Sequence, residues 1–244
     1  MERIGQCNIV RSILFFTLVM LILLSATRNV LAASIIVDEA KFCNEPGYSH
    51  MHYGQGTYGF SCMKNKNHAL GDMFELPVRT RISSIEVFAY AANSTTESPF
   101  TGTYIGIYDG RPDQGGKAVW GDTTTNRLIA TDFTGCYRIL FNTYDTKRPI
   151  MRVEAEVDLI LEAGTYWLVY ALESTYSVFF TPPNVYADPN TAGTAIQFDD
   201  GGWHPAKDEN TVQASIPFRI LGDKMGFVIM PRLRQLSKLK HQTV

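Results

Sequence analysis

The chain has 244 residues and a formal net charge of −2, with 22 Lys and Arg against 24 Asp and Glu. Because this balance provides no basic face to neutralise phosphates, it argues against nucleic acid as a partner. Aromatic residues make up 12% of the chain and are mostly Phe and Tyr, which is typical of strand-rich secreted proteins.

The N-terminus has the pattern of an export signal. Arg3 and Arg11 precede an apolar run over 12–26, which is shorter than the roughly 20 residues that a membrane-spanning helix needs. Val30 and Ala32 supply small residues at the −3 and −1 positions of a cleavage site. The sequence therefore predicts a signal peptide over residues 1–32 and a secreted, extracellular protein without a membrane span after cleavage. An uncleaved N-terminal anchor is the alternative.

A segment rich in Cys, His and Tyr follows over 33–69, packed on or leading into the main domain. In an oxidising compartment, the spacing of Cys43 and Cys62 predicts a disulfide that would stabilise the fold by roughly 3 kcal/mol. Cys136 stands apart in a strand-like stretch, and we expect a buried structural thiol there.

Two histidines of this segment suggest a second possibility. His50 and His52 lie two apart and would point the same way in an extended chain, which suits a metal. No third ligand accompanies them at a usual spacing, so solvated loop histidines are the favoured interpretation.

The strongest structural pattern lies in the middle of the chain. Residues 151–159 alternate between apolar and charged side chains, the pattern of a strand with one buried and one solvated face. The motif that follows, 161–166, is typical of a tyrosine corner, in which the Tyr166 hydroxyl returns to the backbone and fixes a crossing between two sheets. Further strands are predicted at 82–91, 103–109, 117–120, 127–133, 136–141, 176–180, 194–198 and 212–220.

Many short strands separated by turns predict an all-β fold. We expect a two-sheet antiparallel β-sandwich of the jelly-roll or Ig-like Greek-key type, forming one domain over 70–222. A basic tail over 223–244 follows. Its functional interpretation is contact with an anionic surface or a partner, and a disordered basic end is the simpler one.

Five motifs occur in an order that resembles a known kind of module. They are TGTYIGIYDG at 101–110, VWGDTTTNRL at 119–128, RPIM at 148–151, GTYWL at 164–168 and SIPFRILG at 215–222. The chain is similar here to an uncharacterised β-sandwich module of secreted and surface-anchored bacterial proteins, often found next to C-terminal sorting or anchoring segments. The resemblance implies an accessory or adhesive role without an assigned catalytic residue. The chain departs from it in its N-terminal Cys/His/Tyr-rich segment and in lacking a recognisable C-terminal sorting or anchoring pattern.

A few aromatic and acidic residues are candidates for a binding site. Sugar-binding sandwiches present flat rings to pyranose faces and flank them with polar acceptors. Trp120, Trp203 and Tyr176 are the predicted rings, with Asp200 as a hydrogen-bonding neighbour. The stretch 199–204 that holds Trp203 also fits a simple hairpin turn with a packed indole.

The loop after the predicted strand 103–109 contains a candidate metal site. Asp109 and Asp113 have the carboxylates that a structural calcium prefers. No other cofactor is expected.

The sequence as a whole favours a secreted, non-catalytic module that binds a glycan or a cell-surface or matrix component. Two alternatives stay open: an extracellular hydrolase, glycosidase-like or metal-dependent, with acids on a sheet face or rim, and a purely structural matrix protein.

Overall fold

The computed structural model describes residues 33–43, 47–49, 58–139, 144–186, 188, 190–207 and 212–225. The predicted signal peptide, His50, His52 and nearly all of the basic tail lie outside these residues. Within the described part, no helix is long and apolar enough to cross a membrane.

Twelve strands are found in the described part of the chain. They are β1 Ser34–Asp38, β2 Tyr48–Ser49, β3 Ala69–Leu76, β4 Thr80–Ala89, β5 Phe100–Tyr108, β6 Ala118–Gly121, β7 Leu128–Arg138, β8 Pro149–Leu161, β9 Gly164–Ser174, β10 Ile196–Asp199, β11 Gly202–Pro205 and β12 Phe218–Lys224. The first sheet has the order β1-β12-β4-β8-β7-β2, and the second has the order β11-β10-β3-β9-β5-β6. Neighbouring strands are antiparallel except β2 and β7. Two 3-10 turns, Lys64–Lys66 and Pro112–Gln114, lie in the connections.

The core lies between the two sheets and follows from the period-two pattern of their strands. On β8, Met151, Val153 and Ala155 are fully buried, whereas Glu156 and Asp158 are exposed. Apolar side chains from both sheets form one cluster in which these residues take part, so burial of apolar surface drives the packing. The predicted two-sheet, mostly antiparallel β-sandwich is confirmed.

The predicted tyrosine corner is also present. Tyr166 Oη donates a hydrogen bond to the Glu162 carbonyl oxygen at 3.2 Å. The Tyr166 ring stacks on Phe74, with ring centroids 5.8 Å apart. Because β8 belongs to the first sheet and β9 to the second, this turn carries the chain from one sheet to the other, as the motif predicted.

Some predicted strands have different limits in the structure. The predicted strands at 127–133 and 136–141 fall in one strand, β7, at 128–133 and 136–138, and its pairing with β8 is irregular between Phe133 and Tyr137. Residues 140 and 141 lie outside the described residues. Gly135, at φ 80°, provides the left-handed backbone at this irregularity.

Two other predicted strands are wrong in extent because their backbone groups bond to a side chain or form isolated contacts instead of a continuous ladder. Before β12, the Ile216 N–H donates to the Asp72 carboxylate, and the Ala214 N–H donates to the Ala206 carbonyl. The predicted strand at 176–180 is reduced to bridges in which Phe180 pairs with Tyr90 and Thr181 pairs with Phe60.

The predicted Cys43–Cys62 disulfide and the free Cys136 thiol are both wrong. Cys43 is bonded to Cys136, with Cα atoms 6.6 Å apart. Cys62 is a buried free thiol inside the core between the sheets, and its burial raises its pKa to about 12. Cys43 and Cys136 instead belong to a second apolar cluster around Phe88. The folded sandwich separates two cysteines that are close in sequence and joins two that are distant.

Candidate functional site

The outer face of the second sheet holds a second set of buried apolar side chains. On β9, Leu168 and Tyr170 belong to the core between the sheets. Alternation places Trp167, Val169 and Ala171 on the opposite side of the strand, and all three are nonetheless buried. Neighbouring residues therefore cover this face.

A groove of about 250 Å³ lies on this outer face. Its floor is made by short side chains from adjacent strands, Ala69 of β3 and Val169 and Ala171 of β9. Gly71 and Gly106 pair with Val169 from its two sides, and they also lie on this face because directly paired residues share a side of the sheet. Because the residues at these positions are small, the groove has depth between the taller side chains around it.

Aromatic rings rise at both ends of this floor. Tyr108 of β5 and the pair Phe198 and Trp203 line the groove and are partly exposed. Gly106 sets the position of the tyrosine, because a Cβ on Gly106 would lie 3.1 Å from Cε2 of the Tyr108 ring. The missing side chain leaves the space that the ring uses.

Trp203 is positioned by the β10–β11 hairpin. Asp200, at φ 46°, and Gly201, at φ 81°, form its left-handed turn, which suits Asp and Gly. Phe198 and Trp203 are directly paired across the hairpin, and their rings meet edge to face at 5.3 Å between centroids. The predicted hairpin turn with a packed indole is confirmed, and the indole also lines the groove.

The third side of the groove is polar and comes from the turn before β3. Lys64, Asn67 and His68 line it. Asn67 takes the left-handed conformation at φ 58° that ends this turn. Ser61 Oγ lies 2.7 Å from His68 Nδ1, so one ring nitrogen of His68 is held by a hydroxyl.

Lys64 is held against an aromatic ring. Its Nζ atom lies 4.3 Å from the centroid of Tyr104, the distance of a cation–π contact. The Tyr104 hydroxyl in turn donates to Glu173 Oε2 at 2.8 Å. Desolvation, with the hydrogen bond to Glu173, raises the pKa of Tyr104, which keeps the phenol protonated.

A carboxylate–imidazole pair lies on the same hairpin as Trp203. His204 Nε2 is 2.6 Å from Asp199 Oδ1, and Gln197 donates to the other carboxylate oxygen. Desolvation lowers the pKa of His204, but the hydrogen bonds to Asp199 and to the Pro205 carbonyl outweigh it, so the pKa is raised overall. Because neighbouring residues of a strand face opposite sides, Asp199 and His204 do not share the side of Phe198 and Trp203.

The structure separates the other predicted ring and acid residues from this groove. Trp120 pairs with Ile107 of the core, packs against the core cluster and has the Arg127 guanidinium 4.3 Å from its ring. Tyr176 is exposed on the loop after β9. Asp200 is an exposed turn residue of the hairpin and does not line the groove.

The predicted calcium ligands already have protein partners. Asp109 Oδ1 accepts a hydrogen bond from the Lys117 N–H at 2.7 Å, and Asp113 pairs with Arg111 at 2.7 Å. Among the described residues, no group of three or more His, Cys, Asp or Glu side chains is placed to hold a metal. The calcium site stays a prediction, and the possible site at His50 and His52 lies outside the described residues.

A larger cavity, of about 510 Å³, lies on the outer face of the first sheet. The disulfide, Phe42 and Phe88 form its apolar part, and its charged part is formed by Asp132, Arg152 and Arg219. Both guanidinium groups are paired with the carboxylate of Glu86, at 2.7 Å and 3.5 Å.

The groove residues that the sequence did not single out carry a weak signal. Tyr104 and Tyr108 alternate with Gly102 and Gly106 along β5, a pattern that places rings beside open space on one face. Lys64 and His68 give no such signal, because the short turn at Lys64–Lys66 and the residues that follow it have no periodicity.

Comparisons with family models, with curated proteins and with solved structures find no match to this chain.

Proposed function

We propose that the protein is a secreted, non-catalytic binding module that recognises a glycan of a cell surface or matrix through the groove on its second sheet. The observation that supports this is the position of Trp203: a partly exposed indole at the edge of a shallow groove, facing a second ring, Tyr108, across a floor of small residues. Aromatic rings with an exposed face suit the apolar C–H face of a pyranose.

The polar side of the groove supplies what a sugar needs besides stacking. Asn67 offers an amide with both donors and an acceptor, Lys64 offers an ammonium donor and His68 an imidazole. Ligand sites combine an apolar lining with a few polar groups of this kind. The Cys43–Cys136 disulfide supports export, because such bonds persist in oxidising compartments.

The hydrolase alternative is less well supported by this groove. A glycosidase needs two carboxyl groups across the scissile bond, and among the described residues that line the groove there is no Asp or Glu. The Asp199 carboxylate is already bonded to Gln197 and His204.

The test is a glycan array with the exported protein and two variants. We expect Trp203→Ala to lower binding at least about fivefold, because stacking on a ring is worth on the order of 1–3 kcal/mol. Tyr176→Ala removes an exposed ring outside the groove and should leave binding unchanged.

Three results would contradict the proposal. One is the absence of binding to any glycan, which would favour a structural matrix protein. Another is equal binding by wild type and Trp203→Ala. The third is the release of new reducing ends from a bound glycan, which would identify a hydrolase.

A further inference from the structure

Within the proposed glycan-binding function, on which this inference rests, we propose that the groove selects anionic saccharides, those carrying a carboxylate or sulfate group. The charge of the lining has one sign: Lys64 supplies an ammonium beside the His68 imidazole, and no acidic side chain lines the groove in the described part of the chain. A neutral sugar would need no such charge.

The ammonium of Lys64 is positioned without being neutralised. Its contact is with the Tyr104 ring, 4.3 Å away, and it forms no ion pair with any described carboxylate. A cation–π contact orients the ammonium and leaves its positive charge available to a ligand. Arg152 and Arg219 on the other sheet differ in this respect, since each is paired with Glu86.

The neighbouring acid, Glu173, is bonded to Tyr104 and forms no ion pair with Lys64. Glu173 accepts a hydrogen bond from the Tyr104 hydroxyl and is not part of the lining. It therefore fixes the ring on which the ammonium rests.

The His68 ring is also held in a fixed orientation, in this case by a hydrogen bond. Ser61, which is buried, holds the Nδ1 atom at 2.7 Å. The Nε2 atom, for which no partner is found among the described residues, is thus the ring nitrogen available to a ligand. The Lys64 ammonium, the His68 Nε2 atom and the Asn67 amide lie on one wall, where the ammonium can donate a charge-assisted hydrogen bond.

The geometry of a sugar fits this division of the groove. A pyranose that stacks its face on Trp203 or Tyr108 presents its substituents sideways, at the ring edge. A carboxylate at C6 of a uronic acid, or a sulfate ester on a ring hydroxyl, is therefore directed towards a side wall instead of the floor. Among the described residues that line the groove, the positive charge comes from Lys64 on the wall formed by 64–68.

The experiment compares matched pairs of ligands by calorimetry. One pair is oligogalacturonate and its methyl ester, and the other is a sulfated galactan oligosaccharide and its desulfated form. We expect at least one anionic member to bind about tenfold or more tightly than its neutral partner, with a preference that weakens as salt increases. The two pairs distinguish carboxylate from sulfate as the source of the charge.

Variants of the 3-10 turn test whether the lysine is responsible. Lys64→Gln should reduce the preference to about threefold or less, and Lys64→Arg should retain it. Lys66→Gln is the matched control, because Lys66 is exposed on the same turn and does not line the groove. It should leave the preference unchanged.

The outcomes separate this inference from the proposed function. Equal binding of anionic and neutral partners, still lost in Trp203→Ala, would overturn the anionic preference and leave the glycan-binding proposal standing. A preference that persists in Lys64→Gln, or disappears equally in Lys66→Gln, would also overturn the inference. Failure of every saccharide to bind would overturn both.

Discussion

The outer faces of the two sheets differ in whether their positively charged side chains form ion pairs. On the first sheet, Arg152 is paired with Glu86 and Glu154 at 2.7 and 2.8 Å, and Arg219 is paired with Asp38 at 3.0 Å. Positive charges on this face are therefore satisfied by residues of the same chain. A ligand there would have to displace existing partners before gaining any contact.

The second sheet presents partly exposed rings and an ammonium whose contact is another ring. A ligand at this face gains contacts without breaking ion pairs. The difference indicates why a smaller groove is the better candidate site than a cavity twice its volume. The volume of a cavity does not determine affinity, because binding also depends on side chains that can contact a ligand without first losing a partner.

The largest effect we expect concerns the first face. Changing both Cys43 and Cys136 to Ser removes a crosslink between residues 93 apart. In the chain-entropy model this lowers the free energy of unfolding by roughly 4–5 kcal/mol. Denaturant titration with and without reductant measures the loss, and glycan binding by the folded fraction should be unchanged, because the groove lies on the other sheet.

Cys62→Ala is the control for this prediction. Since Cys62 is a free thiol, reductant should still lower the denaturation midpoint of this variant. If Cys62→Ala abolished the response to reductant, the bond would involve Cys62 and the pairing in the structure would be refuted.

The disulfide also illustrates what the sequence can predict. The alternation on β8 and the corner at Tyr166 depend on neighbours along the chain, so local patterns predicted both correctly. The cysteine pairing depends on the segment after β1 meeting strand β7 at the outer face of the first sheet, and no local pattern carries that information. The spacing of Cys43 and Cys62 favoured the nearer pair because loop closure costs less for short loops.

In the candidate site, too, local features could be predicted from the sequence and tertiary contacts could not. Trp203 was predicted because an indole beside Asp and Gly in a turn is a local feature. Trp120 has the same chemistry, yet its ring contacts Arg127 and packs against the core, which follows only from the pairing of β5 with β6. The contributions of Lys64 and His68 require the turn before β3 to meet the β10–β11 hairpin, a tertiary arrangement that single-residue patterns do not encode.

The second effect concerns Asp72, which connects the two sheets. Its carboxylate accepts hydrogen bonds from Thr194, just before β10 of the second sheet, and from the Ile216 N–H at 3.0 Å, just before β12 of the first. Desolvation raises the pKa of Asp72 from its ordinary value of 3.8 to about 6, against these hydrogen bonds, which lower it. The folded protein therefore binds this proton more tightly than the unfolded chain does.

The sign of the pH dependence follows because the pKa of Asp72 is higher in the folded protein than in the unfolded chain. The stabilising contribution of the protonated group is complete below about pH 4, declines as the pH rises through about 6, and is absent above it. Its size is on the order of 2–3 kcal/mol. Urea titrations between pH 4 and 8 should show this decline in the wild type relative to Asp72→Asn, which has no proton to lose.

Thr194→Val sharpens this measurement. It removes a hydrogen bond that lowers the pKa of Asp72, so the decline should move to higher pH. Parallel curves for wild type and Asp72→Asn across the whole range would show that Asp72 does not titrate as the structure implies.

The smallest effect concerns the second face and should change binding without changing stability. In Gly106→Ala the new Cβ meets the Tyr108 ring at 3.1 Å, so the ring must shift by a few tenths of an ångström. We expect glycan binding to fall roughly threefold to tenfold, equivalent to about 0.7–1.4 kcal/mol, while the denaturation midpoint hardly moves. Because this ring is partly exposed, its displacement costs little in the free protein.

Two substitutions at Tyr108 identify the cause of this loss. Tyr108→Phe keeps the ring and removes the hydroxyl, so it should bind nearly as well as wild type if the ring supplies the contact. Tyr108→Ala should then lose more than Gly106→Ala. A Gly106→Ala variant that lost stability and binding together would contradict this prediction. The Tyr108 ring would then contribute to the stability of the fold, as the ion pairs on the first sheet do, and the two outer faces would not differ in this respect.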